Sequence, residues 1–276
     1  MFVSSEFSQF LAEHHFRLCL MPIVNARTGE ADKHEALLRS DDPTIQIEQF
    51  VIQCEKQGQI GTISRPKEDQ PDVSEIVPVK GDVGMLDQLT ITAALDYLRR
   101  DPEAKSLSVN MSGITAGSSQ GIQIIQKAAA DYPDAAKRLT IEVTETAGRT
   151  SALSRAFVQR AHRAGIKVMV DDVGDSCGCA KLSHSLIYMT DGIKVCAHAL
   201  HGVEKLSASF REQIAYAKKW DRTIVVEGIE DPEQKQLWMS QMGGAPTHWQ
   251  GYSLGHAPDR ADIFLIDRRE QLRPAA

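Results

Sequence analysis

Short apolar runs alternate with segments of helical periodicity along most of the chain. Runs rich in β-branched and aliphatic residues indicate strands, and apolar residues three or four positions apart indicate the helices between them. The predicted strands cover residues 16–24, 31–38, 107–111, 139–144, 166–172, 192–196, 223–229 and 249–254. Helical spacing is clearest in Ile91, Leu95 and Leu98, in Leu153, Phe157, Ala161 and Ala164, and in Leu206, Phe210, Ile214 and Ala217. Eight strands alternating with helices over about 250 residues predict an α/β fold, a (β/α)8 TIM barrel.

The alternation is interrupted once. Residues 65–84 carry Pro66, Pro71 and Pro78 among many charged residues, which predicts a surface insertion. With no repeat or linker elsewhere, we expect a single domain over residues 1–276. An open doubly wound sheet is the alternative, but it usually carries a glycine-rich turn after its first strand, and this sequence has none there.

The composition narrows the classes of partner. The chain has 276 residues, of which 42% are hydrophobic and 25% charged, and its formal net charge is -6. A negative protein does not attract a nucleic-acid polymer through its overall field. Since no apolar run approaches the roughly 20 residues that span a bilayer and no signal peptide is evident, we expect a cytoplasmic protein without a membrane partner. The five cysteines are odd in number and scattered, and in a cytoplasmic protein we expect them to be reduced thiols.

Most of the predicted strands finish in a residue that can bind metal or phosphate. In a parallel barrel the carboxyl ends of the strands meet at one face, where the active sites of this fold lie. Carboxylates gathered there repel one another unless cations neutralise them, and oxygen ligands favour Mg²⁺ or Mn²⁺. The candidates are Glu35, Asn110, Glu142, Glu145, Asp171, Asp172, Lys194, Glu227, Glu230 and Gln250.

Each candidate also has a simpler interpretation. A single acidic residue after a strand is commonly a turn residue or a helix N-cap, which is how we interpret Glu230 and Asp175. The adjacent pair Asp171-Asp172 is harder to explain in this way, because a buried strand seldom ends in two unpaired acids. The argument for a site therefore depends on the whole set.

The same residues carry a resemblance to a known family. Glu35-Ala36-Leu37, continuing to Leu38-Arg39, resembles the signature of the EAL domain, the phosphodiesterase of cyclic di-GMP. Further matches follow in the family's order from about residue 16 to residue 258. They are Val109-Asn110-Met111-Ser112, Ile141-Glu142-Val143-Thr144-Glu145, Asp171-Asp172-Val173-Gly174, Ile193-Lys194, Val226-Glu227-Gly228-Ile229-Glu230 and Gln250-Gly251-Tyr252.

The resemblance implies a modified TIM barrel that hydrolyses cyclic di-GMP to linear pGpG with two divalent cations, Mg²⁺ or Mn²⁺. Lys194 would lie beside the attacking water, and Glu227 would share in catalysis as well as in metal binding. Arg39 would contact a phosphate, Gln250 would line the substrate site, and Glu145 would support the loop after the fifth strand. The implied metal ligands are Glu35, Asn110, Glu142, Asp171, Asp172 and Glu227. By the same resemblance we expect a homodimer. An input signal would come from the expression level, from a regulatory protein partner or from the insertion at residues 65–84.

Two single positions and one segment depart from the family pattern. Met21 stands where the family has glutamine, residues 173–179 differ from the usual loop, and Cys196 replaces an aspartate two residues after Lys194. These departures keep a second function open, in which an EAL domain without turnover serves as a cyclic di-GMP receptor or a protein-binding module. An enolase-type barrel, which also uses strand-end carboxylates and a lysine, is a third alternative. Cys177 and Cys179 add the hypothesis that oxidation of the loop tunes activity.

Overall fold

A computed structural model describes residues 5–67, 73–144, 155–174, 184–196, 200, 205–254 and 263–266. Its strands are β1 (Arg17–Asn25), β2 (Ala31–Arg39), β3 (Gln59–Pro66), β4 (Ser74–Lys80), β5 (Ser106–Ser112), β6 (Leu139–Thr144), β7 (Lys167–Val173), β8 (Gly192–Cys196), β9 (Thr223–Glu227), β10 (His248–Trp249) and β11 (Ile263–Phe264). Its helices are α1 (Ser5–Glu13), α2 (Ile47–Glu55), α3 (Val83–Arg100), α4 (Gly113–Ala116), α5 (Ser119–Asp131), α6 (Pro133–Ala136), α7 (Arg155–Arg163), α8 (His184–Met189), α9 (Ala208–Lys219) and α10 (Pro232–Met242).

Eight of the strands close into a barrel. Their order is β10-β9-β8-β7-β6-β5-β2-β1, and a further pairing of β10 with β1 completes the ring. Closure excludes the open doubly wound sheet and confirms the predicted α/β barrel. The short strand β11 pairs with the other end of β1, where Leu18 lies opposite Ile263.

The first strand runs against the others, which corrects the expectation of an entirely parallel barrel. Strand β1 is antiparallel to both of its barrel neighbours, β2 and β10, whereas the remaining barrel pairs are parallel. The connection from β1 to β2 is a tight hairpin, in which the Asn25 side chain accepts from the backbone nitrogens of Arg27 and Thr28 and Gly29 has φ +74°. A connection this short can only join antiparallel strands, since a parallel crossover needs a dozen or more residues.

The eighth barrel strand is much shorter than predicted. Only His248–Trp249 is extended, and a 3-10 turn follows at Tyr252–Leu254. Gly251 breaks the strand, with φ +155° and with its Cα packed so closely on Ile229 that an added Cβ would lie 2.1 Å from the Ile229 carbonyl oxygen. Only glycine accepts both the conformation and the close approach. By contrast, β6 and β8 have the predicted bounds.

A separate two-stranded sheet lies outside the barrel. Strand β3 pairs antiparallel with β4, and one face of this hairpin buries Ile63 and Val79 against Phe7 and Phe10 of α1. The interval 65–84, predicted as a surface insertion, contains the end of β3, the whole of β4 and the first residues of α3. Alternation of exposed and buried residues along β4 explains why one face joins the core while the other faces solvent.

The barrel interior is polar toward one end and apolar below it. Aliphatic residues of the strands point outward and pack under the helices, whereas Ile23, Met169 and Val225 point inward and form a small cluster of their own. Met169 and Val225 each precede an inward-facing acidic residue by two positions, so those acids lie one step closer to the carboxyl end. Among the described helices, none is long and apolar enough to cross a membrane.

Candidate active site

Alternating positions of the barrel strands turn a set of charged side chains toward the axis. Glu35, Glu142 and Lys194 lie within β2, β6 and β8, so the expectation that each such residue terminates its strand is wrong for these three. Glu227 does end β9, and Gln250 follows β10 directly. The inward direction, set by the period of two in each strand, is what brings these residues together.

Lys194 stands at the centre of the acidic cluster. Its side chain is 1% exposed, and its Nζ atom lies 2.9 Å from Glu142 Oε2 and 2.9 Å from Glu227 Oε2. The same nitrogen lies 3.2 Å from Glu35 Oε2 and 3.2 Å from Asp171 Oδ1. One ammonium group therefore meets four carboxylates from four different strands.

Two amide side chains orient Glu35. Asn110 Nδ2 donates to Glu35 Oε1 over 3.0 Å, and Gln250 Nε2 donates to Glu35 Oε2 over 2.5 Å. The amide oxygens, Asn110 Oδ1 and Gln250 Oε1, are buried and have no hydrogen-bond partner in the described part of the chain. Because a buried acceptor without a partner is costly, these oxygens are suited to a ligand such as a cation or bound water.

A bulge brings two consecutive acids to the same site. The register of β7 with β8 shifts between Val170 and Val173, and Asp172 adopts φ +54° while its backbone nitrogen donates to Asp171 Oδ1 over 2.9 Å. In a regular strand Asp171 and Asp172 would point to opposite faces. Here their oxygens and one from Glu227 all lie within 4.8 Å of one another.

The charges of the cluster shift their own pKa values. Burial raises the pKa of Glu142 well above its usual value, and Glu35 and Asp171 add to that shift against the opposing effect of Lys194. Burial also raises the pKa of Glu227 to about 8, again with repulsion from Asp171. Asp172 rises to a pKa of about 6 through burial and the charge of Asp171.

Glu35 and Lys194 shift in the directions that keep them charged. Burial opposes ionisation of Glu35, but Lys194 and the amides of Gln250 and Asn110 lower the pKa of Glu35 overall. Burial would lower the pKa of Lys194, yet the surrounding carboxylates raise that pKa well above its ordinary value. The carboxylates thus outweigh the effect of burial and keep Lys194 charged.

The donor set fits divalent cations that prefer oxygen. Glu35, Glu142 and Asp171 form one group whose oxygens lie within 4.8 Å of one another, and Asp171, Asp172 and Glu227 form a second such group. The two groups share Asp171. Carboxylate and amide oxygens are the ligands preferred by Mg²⁺ and Mn²⁺, so the residues present fit the cofactors that the sequence implies.

The remaining candidates lie farther along a strand, on the strands beside the cluster, or outside the described residues. Arg39 is four residues beyond Glu35 on β2, about 13 Å along the strand, and donates to the backbone oxygen of Leu38. Met21 pairs directly with Glu35 across the β1–β2 ladder, and Cys196 pairs with Glu227. Glu145, Asp175, Cys177 and Cys179 fall outside the described residues.

One polar contact near the site was not predicted. The hydroxyl of Ser112 donates to Glu55 Oε1 of α2 over 2.6 Å, at the carboxyl end of β5. Ser112 belongs to the motif that contains Asn110 and lies two positions after it, so the period of a strand could have placed it on the same face. Its partner, 57 residues away, has no local signal in the sequence.

Comparison with known proteins identifies the family. The model of the EAL domain family matches residues 69–255, which is more than half of the chain and begins after the strand that carries Glu35. No curated protein matches the sequence.

Solved structures share the fold at low sequence identity. The PaMucR phosphodiesterase in complex with c-di-GMP is 20% identical with a TM-score of 0.65, and the match covers 88% of this chain and 96% of that one. The FimX EAL domain from Pseudomonas aeruginosa bound to c-di-GMP is 18% identical with a TM-score of 0.65, covering 91% and 93%. LapD from Vibrio cholerae, bound to c-di-GMP, is 13% identical with a TM-score of 0.69, covering 90% and 55%. From the family match and the shared fold, this chain belongs to the EAL domain family.

Proposed function

We propose that this protein hydrolyses cyclic di-GMP to linear pGpG with the help of two divalent cations. The observation that carries the proposal is the acidic cluster around Lys194 at the barrel axis. It consists of two sets of three acidic residues, and Asp171 belongs to both sets. The shared fold with a phosphodiesterase in complex with c-di-GMP supports the choice of substrate.

The side chains divide the work of hydrolysing an unreactive phosphodiester. Glu35, Asn110, Glu142, Asp171, Asp172 and Glu227 would hold the cations, which when bound supply an acidified water and stabilise the charge on the phosphoryl oxygens. Gln250 holds one oxygen of Glu35 in place, and the charged Lys194 is close enough to the ligands to orient the attacking water by donating a hydrogen bond to it. Arg39 lies on the same strand face as Glu35 and offers a planar pair of donors to a substrate phosphate.

A receptor that binds cyclic di-GMP without cleaving it is the second candidate. The observation that favours it is Cys196, which occupies the strand position paired with Glu227 and brings a thiol rather than a carboxylate beside this end of the cluster. A thiol is largely neutral at neutral pH, so it does not help to neutralise Lys194 or a cation.

Incubation with cyclic di-GMP, with and without Mn²⁺, distinguishes the two functions. We expect binding and pGpG formation in wild type, and near-complete loss of pGpG in Glu35→Ala and Asp171→Asn. Glu103→Ala and Asp134→Asn, which change exposed acids far from the cluster, serve as matched controls. Binding without product in wild type selects the receptor, and full turnover in Glu35→Ala would refute the assigned ligands.

A surface patch supports a homodimer. His184 stacks on Tyr216 at 4.2 Å, Tyr188 contacts Trp220 edge to face at 4.8 Å, and the side chains of Tyr188 and Trp220 are 48% and 41% exposed. Exposed aromatic clusters are enriched at protein interfaces. The same face would suit a second copy of the chain or a regulatory protein, and we propose the second copy.

A further inference from the structure

Three hydrogen bonds gather at the carboxyl end of β5. The Ser112 hydroxyl donates to Glu55 Oε1 over 2.6 Å, and the Ser112 backbone nitrogen donates to Asp87 Oδ2 over 3.2 Å. The Ser112 oxygen also accepts from the backbone nitrogen of Ile114, over 3.2 Å, which caps helix α4. Helices α2 and α3 each therefore contribute an acidic side chain to one serine, and Ser112 itself is 5% exposed.

The cap alone does not account for Glu55. Capping uses the Ser112 oxygen as an acceptor, and the remaining hydroxyl proton could be satisfied by water at the rim of a barrel. Instead, the hydroxyl donates to the carboxylate of Glu55 on helix α2, which residues 40–46 connect to β2. The bond joins the segment that carries Glu35 to the strand that carries Asn110.

The backbone ladder between β2 and β5 ends just before Asn110. Strands β2 and β5 pair from Lys33 opposite Ser106 up to Ala36 opposite Val109, and the register stops there. Asn110 follows Val109 immediately. From this point side-chain hydrogen bonds connect β5 to the segment that contains β2 and α2: Asn110 donates to Glu35 in the site, and Ser112, two residues later, donates to Glu55. The ladder to β6 does continue, through Asn110 opposite Glu142 to Ser112 opposite Thr144.

We propose that Glu55 is a positioning residue for the cation site. It holds Ser112, and through Ser112 it fixes the end of β5 so that Asn110 Oδ1 faces the site while Asn110 Nδ2 stays on Glu35. This inference rests on the proposed function, because it assigns Glu55 to the same cation-binding residues. Supporting groups of this kind commonly change metal affinity by about 10–100-fold when they are removed.

Calorimetric titration with Mn²⁺ tests the inference in the full chain. We expect Glu55→Ala and Ser112→Ala each to weaken Mn²⁺ binding about 10-fold, and Glu55→Gln, whose amide oxygen can still accept from Ser112, to stay within about 3-fold of wild type. Gln49→Ala on the same helix is the control and should bind as wild type. Thermal unfolding in EDTA identifies any variant that fails to fold. If Glu55→Ala does not fold, the Mn²⁺ affinities of Ser112→Ala and Glu55→Gln still test the contact between Glu55 and Ser112.

Two double variants separate positioning from a general structural role. If Glu55 acts through Ser112 and Asn110, adding Glu55→Ala to Ser112→Ala or to Asn110→Ala causes no further loss of Mn²⁺ affinity. Independent losses that multiply, or wild-type affinity in both single alanine variants, would overturn the assignment while leaving the proposed hydrolysis intact. A wild-type chain that binds no Mn²⁺ would overturn the proposed function and this inference together.

Discussion

Asp171 and Asp172 are held on one side of their strand by a hydrogen bond between them, from the Asp172 backbone nitrogen to Asp171 Oδ1 at 2.9 Å. The geometry places Asp172 in the left-handed region at φ +54°, which is uncommon for residues other than glycine, asparagine and aspartate. Two charges are thereby brought to a site that already contains Glu227. The local backbone bears a conformational cost so that consecutive residues can serve the same ligand.

Replacing Asp172 by asparagine separates the effect of its left-handed backbone from the effect of its negative charge. Asparagine tolerates the left-handed backbone, and it removes a carboxyl whose pKa is raised to about 6 by burial and by Asp171. We expect Asp172→Asn to raise the melting temperature in EDTA and to reduce the further rise that Mn²⁺ produces in wild type. Differential scanning fluorimetry measures both.

Asp172→Ala is the companion variant, since alanine pays about 1 kcal/mol or more in the left-handed region. It should be less stable than Asp172→Asn in EDTA. Equal melting temperatures for the two variants would show that the backbone at this position carries no strain.

Lys194 supplies the positive charge on which four carboxylates depend. Lys194→Met keeps the length of the side chain but leaves those acids without a cation. We expect the free energy of unfolding in EDTA to fall by about 3–5 kcal/mol, the usual cost of removing one partner from a buried ion pair. Urea denaturation measures the change, and Mn²⁺ should restore part of the lost stability because cations neutralise the same acids.

The exposed Lys80 offers a matched control for that experiment. Lys80→Met should leave the urea midpoint within experimental error of wild type, with and without Mn²⁺. A Lys194→Met chain as stable as wild type in EDTA would contradict the cluster geometry.

The buried Asp87, which lies outside the acidic cluster, should make the stability of the protein depend on pH. Burial is the main reason that its pKa is raised from 3.8 to about 8. Between pH 4 and pH 8 the folded chain therefore keeps a proton that the unfolded chain has released, so Asp87 lowers the free energy of unfolding as pH rises. Asp87→Asn mimics the protonated acid and removes this loss.

Urea denaturation at pH 5 and pH 8.5 checks whether Asp87 lowers the free energy of unfolding as the pH rises. We expect Asp87→Asn to resemble wild type at the lower pH and to be more stable than wild type at the higher one. Asp134→Asn, at a highly exposed position, should show no such difference. A stability gain at pH 5 that vanishes at pH 8.5 would contradict the raised pKa.

The aromatic patch of α8 and α9 predicts the oligomeric state. A charge at Trp220, which contacts Tyr188, should prevent a second copy from burying the patch. We expect light scattering to show a dimer for wild type and a monomer for Trp220→Glu. Leu237→Glu changes a similarly exposed apolar residue on α10 and should remain dimeric. A wild-type monomer at high concentration would refute the dimer.

How much could be predicted is seen most clearly at single residues. The period of two placed Glu142 and Lys194 on strands whose bounds the structure reproduces, because apolar neighbours on both sides of each residue mark a buried strand. Strand periodicity did not predict the direction of β1 or the early end of β10. They follow from a tight hairpin and from the contact of Gly251 with Ile229, which strand periodicity does not report.

Sequence periodicity was enough to locate most of the barrel strands, to show which of their side chains alternate inward, and to place acids and one lysine at the same end of the barrel, but it did not locate β3, β4 or β11. Three contacts depend on the closed barrel and could not be predicted: Lys194 lies among four of those acids, Gln250 donates to Glu35 across 215 residues, and Ser112 donates to Glu55. Periodicity is a property of neighbours in the chain, whereas these contacts exist only because the closed barrel brings distant strands within hydrogen-bonding distance.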